Sequence, residues 1–131
     1  MLSLRRSACS EAEIDPDWLK QNHAHIERHP AWRGEIQEGE AESLLKSRKP
    51  FSYLLRYEPE NCLYFITFVQ PDLSIKHQYF TLEFSRKGWY YRNGEVQGPK
   101  EVVAQSISEL IPFMMHCNPE DCQFLQRILK I

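Results

Sequence analysis

The sequence contains no apolar run near the roughly 20 residues that a membrane-spanning helix requires. Its opening, MLSLRRSACS, also lacks the apolar stretch of a secretory signal. A cytoplasmic protein without membrane insertion is expected. Cysteine is sparse: Cys9, Cys62, Cys117 and Cys122 form no CxxC pair, and a domain of this size does not need disulfide staples, so reduced thiols are expected. With only 5 glycines, the chain has no GxGxxG or phosphate-cradling loop. It has no GxSxG either, and no carboxylate pair stands out from ordinary surface acids. Cys122 and Arg127 approach the Cys-x5-Arg of tyrosine phosphatases, but the spacing is one residue short and no glycine loop surrounds the thiol. These absences argue against an enzyme and leave no cofactor implied.

What is present is enough for one modest core: 131 residues, 42% apolar and 26% charged. The net charge of −2 argues against nucleic-acid coating, yet the charges are uneven. Residues 1–45 hold 5 basic and 9 acidic side chains, residues 46–100 hold 9 and 5, and residues 101–131 hold 2 and 4. The cationic middle also holds 12 of the 16 aromatics, so a locally anionic ligand fits the strand-prone part of the chain.

Asp15-Pro16-Asp17 supplies a cap, a first-turn proline and an acidic turn, predicting a helix to His29 with Trp18, Leu19 and Ile26 on one face. A second helix fits Glu38 to Lys46, with Ala41, Leu44 and Leu45 at helical spacing. Aromatic and β-branched runs then predict strands near 51–57, 62–70, 74–84 and 89–92. Asn93-Gly94 reads as a hairpin turn, with a return strand at Glu95 to Gln97 ended by Gly98-Pro99. A helix between Lys100 and Met115 carries Ile107, Leu110, Ile111 and Met114. Asn118-Pro119-Glu120-Asp121 repeats the grammar of residue 15 and predicts a last helix striped by Phe124, Leu125, Ile128 and Leu129. The class is α+β.

His23, His25 and His29 crowd one helix, and His25 with His29 has i, i+4 spacing, but no HExxH glutamate accompanies them. They read as solvated histidines, and no metal is expected. Lys87-Gly88-Trp89-Tyr90-Tyr91 has the flavour of an RNA-binding strand, a short and common match.

One constellation spans most of the chain. Trp32 and Ile36 precede Glu40-Ala41-Glu42-Ser43-Leu44-Leu45. Phe51-Ser52-Tyr53-Leu54-Leu55-Arg56, Ile75-Lys76-His77 and Gly88-Trp89-Tyr90 follow, and then a helix with Ile107, Leu110, Ile111 and Phe113. In this order residues 31–116 resemble a Src homology 2 (SH2) domain, the phosphotyrosine-binding module: an opening Trp, an A-E-x-L-L helix, a Phe-Leu-Val-Arg strand, a Lys-His strand and a closing helix. The resemblance implies a central antiparallel sheet flanked by two helices. Residues 1–30 would add an N-terminal helical extension and residues 117–131 a C-terminal helix packed on the domain.

The resemblance implies that Arg56 takes the phosphate of a phosphotyrosine peptide. Between apolar neighbours a charged arginine is costly unless an anion or carboxylate meets it, and the guanidinium fork matches phosphate oxygens. The alternative is a structural arginine paired with Glu38 or Glu58. His77 is similar to the histidine that frames the phosphotyrosine. Lys76 is similar to its basic neighbour, although adjacent strand residues point to opposite faces. The chain also departs from the family. Glu38 stands where an early arginine is common, Tyr79 replaces a basic residue, and Glu58-Pro59-Glu60-Asn61 replaces the usual phosphate-wrapping loop. Arg33, Ser43, Asn61 and Lys76 are candidate replacement donors. The candidate phosphotyrosine-binding set is therefore Arg56, His77, Lys76, Tyr79 and Asn61.

The stretch from Arg92 to Gln105 looks longer than in the family, with Glu95, Val96, Val102 and Val103 as a loop contacting the peptide, so weak preference for flanking residues is expected. The implied protein is a monomeric, non-catalytic binder of tyrosine-phosphorylated proteins. It would be an adaptor or a bacterial effector, the latter secreted into a host cytoplasm. The alternatives are a degenerate scaffold of the same fold that binds no phosphotyrosine and an RNA-binding domain.

Overall fold

The computed structural model describes residues 16–83, 88–92 and 101–124. Helix α1 spans Pro16–Glu27 and α2 spans Glu38–Leu45. Strands β1 (Ser52–Glu58), β2 (Leu63–Val69), β3 (Ile75–Glu83), β4 (Gly88–Arg92) and β5 (Glu101–Ala104) follow. Helix α3 (Ile107–Met115), a 3-10 turn (Pro119–Asp121) and β6 (Gln123–Phe124) complete the described chain. One sheet orders its strands β5-β4-β3-β2-β1-β6. Among the described strands every pairing is antiparallel except β6 with β1, and Trp32 adds an isolated parallel bridge to Leu55. Among the described residues no helix is long and apolar enough to cross a membrane.

Strand alternation divides the core into two. On one face Leu55, Ile66, Phe68, Phe80 and Trp89 pack with Leu110, Ile111 and Met114 of α3 and with Ile26 of α1. Phe80, Leu110 and Met114 retain no exposed surface, and each such burial stabilises by about 1.5–3 kcal/mol. On the other face Leu54 and Val69 meet Ala41 and Leu45 of α2 in a smaller cluster. The outer edge of β1 is covered. Leu55 N donates to Ala31 O at 2.9 Å, Tyr57 N to Gly34 O at 2.9 Å, and Gln123 N to Phe51 O at 3.0 Å.

Two segments differ from expectation. Residues 101–104, expected in a loop and the start of a helix, form edge strand β5, with Val103 opposite Tyr90 and Val102 opposite Tyr91. The β-branched pair suits a sheet edge. The helix instead begins where the Ser106 side chain accepts from Glu109 N at 3.3 Å and Glu109 Oε1 accepts from Gln105 N at 3.1 Å, close to a capping box. Pro112 lies within α3 without dividing it. At the other end, Asn118 opens only a 3-10 turn, with no side-chain cap bond. The chain then extends to pair Gln123 with Ser52 and Phe124 with Tyr53. The open β1 edge outcompetes the local helix signal there, so a final strand exists where none was expected. Residues 125–131 lie outside the described residues, as do the expected hairpin at Asn93-Gly94 and the return strand at 95–97.

Cys62 is disulfide-bonded, against the expectation of reduced thiols, while Cys117 and Cys122 are free.

Candidate functional site

The register places Arg56 opposite Phe65, and Thr67 opposite His77, so these four side chains share the face covered by α2. Arg56 is 2% exposed. Its guanidinium carbon lies 4.6 Å from the Phe65 ring centroid, a cation–π contact. Its Nε donates to Thr67 Oγ1 at 3.1 Å and its Nη2 to His77 Nδ1 at 3.1 Å. Nη1 makes no hydrogen bond among the described residues. Because no buried side-chain nitrogen or oxygen among them lacks a partner, Nη1 reaches solvent. Burial lowers the Arg56 pKa, and Glu58, Glu38 and Glu42 raise it; an arginine so placed remains charged. Among the described residues no carboxylate forms an ion pair with it, so the expected alternative of direct pairing with Glu38 or Glu58 does not describe this site.

The acids act one step removed. His77 Nε2 lies 2.7 Å from Glu42 Oε2 and 3.3 Å from Glu38 Oε2. A guanidinium only donates and a carboxylate only accepts. His77 is therefore held as the Nε2–H tautomer, its Nδ1 lone pair facing Arg56 and Thr67 Oγ1, which lies 2.9 Å away. The imidazole thus stands between the acids of α2 and the buried cation. The donor atoms of Glu38, Glu42 and His77 all lie within 4.8 Å of one another.

The expected site residues separate. Arg56 and His77 are brought together. Tyr79 lies opposite Phe65 on the same face and is exposed. Lys76 lies opposite Phe68, on the other face. The Asn61 amide donates to Glu58 Oε1 at 2.7 Å, within its own turn, and Arg33 Nη1 donates to the carbonyls of Pro30 and Trp32. Val102 and Val103 belong to β5, while Glu95 and Val96 lie outside the described residues. Sequence reasoning missed Thr67 and Phe65. The available signal was Thr67, the one aliphatic hydroxyl in the run Leu63–Val69, two residues after Phe65 and so on the same strand face.

The helix histidines are not all solvated. His23 Nδ1 lies 2.6 Å from the Tyr64 hydroxyl, and its ring packs near Trp32, Tyr57 and Tyr64. His29 Nδ1 accepts from Ala31 N at 3.0 Å. Trp89 is a core residue against Tyr64 and Phe80, not an exposed stacking platform. A groove of about 590 Å³ lies beside Phe51, Phe113, His116 and Asn118; none of its lining residues belongs to the Arg56 cluster.

No model of a known protein family and no curated protein matches the chain. Among solved structures, the SH2 domain of the human proto-oncogene protein VAV1 is similar, with a TM-score of 0.53 and 16% identity over 81% of this chain and 77% of that one. The VAV1 SH2 domain complexed with a tyrosine-phosphorylated peptide from SLP76 aligns with a TM-score of 0.48 and 21% identity, covering 74% of this chain and 64% of that one. The first likeness agrees with the architecture above, a largely antiparallel sheet with α2 on one face and α3 on the other. The protein has an SH2-like fold.

Proposed function

We propose that this domain is a non-catalytic module that binds tyrosine-phosphorylated proteins, with Arg56 receiving the phosphate. One observation carries this reading: a guanidinium 2% exposed, held by two neutral partners and a ring face, with Nη1 left toward solvent. Such a cation is stabilised when an anion meets it, and a phosphate dianion matches its fork. Weak preference for flanking residues remains part of the proposal.

A second reading, a scaffold whose arginine is structural, is favoured by the internal chain Arg56–His77–Glu42 and by the acids Glu38 and Glu42 beside the site. Fluorescence anisotropy with phosphotyrosine, unphosphorylated and phosphoserine peptide pools separates the two. Binding of the first pool alone, lost in a folded Arg56→Ala variant, supports the module. Equal indifference to all three supports the scaffold.

A further inference from the structure

We infer that Glu38, Glu42 and His77 form a site for one divalent transition-metal cation of the zinc class, and that its occupancy releases Arg56 from His77. The site goes beyond phosphotyrosine binding and does not depend on it.

The three donors come from two elements. Glu38 and Glu42 stand four residues apart on α2, and His77 reaches them from β3 with its side chain 13% exposed. This is a mixed imidazole and carboxylate set, which suits zinc better than calcium or magnesium. A tetrahedral zinc with arms of about 2.0–2.1 Å has ligand–ligand edges of about 3.3 Å. The His77 Nε2 distances to the carboxylate oxygens are already 2.7 Å and 3.3 Å, so side-chain adjustments alone suffice, and one coordination position stays open for water or an anion. His77 also has what a metal-bound imidazole needs behind it: a hydroxyl, Thr67 Oγ1, 2.9 Å from its other nitrogen.

The proton balance follows from the hydrogen bonds. Zinc takes the Nε2 lone pair, so the proton on Nε2 leaves and one is taken up at Nδ1; the imidazole stays neutral. Nδ1–H then donates to Thr67 Oγ1, which keeps a second lone pair for Arg56 Nε. Arg56 Nη2, now 3.1 Å from a donor, loses its acceptor. Both terminal nitrogens of the guanidinium become available to an anion.

The test is a calorimetric titration of the chelator-treated full chain with zinc chloride, in the wild type and in Glu42→Gln, an exposed and nearly isosteric change. Long-range proton–nitrogen NMR of the His77 ring accompanies it. The expected result is one-site binding weakened about tenfold or more in Glu42→Gln, with His77 passing from the Nε2–H to the Nδ1–H tautomer as zinc saturates. Zinc held elsewhere, for instance at Cys117 and Cys122, would survive the substitution. Equal affinity in both proteins, no binding below millimolar zinc, or a His77 ring that stays Nε2–H at saturation would overturn the proposal.

Discussion

Arg56 Nη2 lies 3.1 Å from His77 Nδ1, which makes the histidine an acceptor for the buried cation and not a second cation beside it. Arg56 is thus the charge centre of the site. Arg56→Ala is expected to abolish phosphotyrosine-peptide binding, a loss of about 2–5 kcal/mol. Arg56→Lys should fail nearly as badly, because one ammonium cannot serve Thr67, His77 and a phosphate in one plane. Anisotropy with a phosphotyrosine peptide, and circular dichroism to show that both variants fold, check this. Retained affinity in either would move the phosphate site elsewhere.

Thr67→Val keeps the shape of β2 and removes the hydroxyl that accepts from Arg56 Nε at 3.1 Å. A hydrogen bond to a charged group contributes about 1.5–3 kcal/mol. Peptide affinity should therefore fall about tenfold or more by anisotropy. An unchanged affinity would show that the hydroxyl does not position the arginine.

Acidification should weaken binding between about pH 7 and pH 5, because the phosphate, with a second pKa of about 6, becomes a monoanion there. His77→Ala should cost less affinity than Arg56→Ala at neutral pH, since it removes a partner of the arginine and leaves the cation. Affinity measured across that range with a phosphotyrosine peptide and its non-protonating sulfotyrosine analogue tests the origin of the effect. A matching loss with the sulfate would assign it to the protein.

His29 gives stability its own pH dependence. Burial lowers its pKa from 6.5, so the unfolded chain binds the proton more readily than the folded one. The stabilisation is complete above about pH 6.5 and declines as pH falls through the lower folded value. Urea midpoints should drop between pH 7 and pH 5, with a shallower drop in His29→Gln. Parallel curves for the two proteins would place the titration elsewhere.

Gly88 starts β4 where a Cβ would sit 2.5 Å from Ala104 O and 3.3 Å from Val103 Cγ1. The first contact is with backbone, so β5 must shift. Gly88→Ala should destabilise by about 1–3 kcal/mol, read as a lower midpoint in chemical denaturation. An unaltered midpoint would mean that the β4–β5 pairing is not closely packed there.

Several elements were legible because their causes are local. Period-two aromatic and β-branched runs marked β1 to β4, and the pattern around Ala41 and Leu45 marked α2. The ordered words from Trp32 to Ile111 indicated the SH2-like fold and pointed to Arg56 and His77. Strand alternation already set Lys76 on the face opposite His77. The tertiary structure decided what depends on partners far apart in sequence. The covering of β1's edge made a strand of Gln123–Phe124, against a cap signal confined to four residues. Pairing with β4 made a strand of Glu101–Ala104. The register brought Thr67 from β2 and Glu42 from α2 onto the two nitrogens of His77. A sequence records which groups can donate and accept; only packing decides which of them come within hydrogen-bonding distance, and at Arg56 that proximity sets both the tautomer of the histidine and which nitrogen of the guanidinium is left for a ligand.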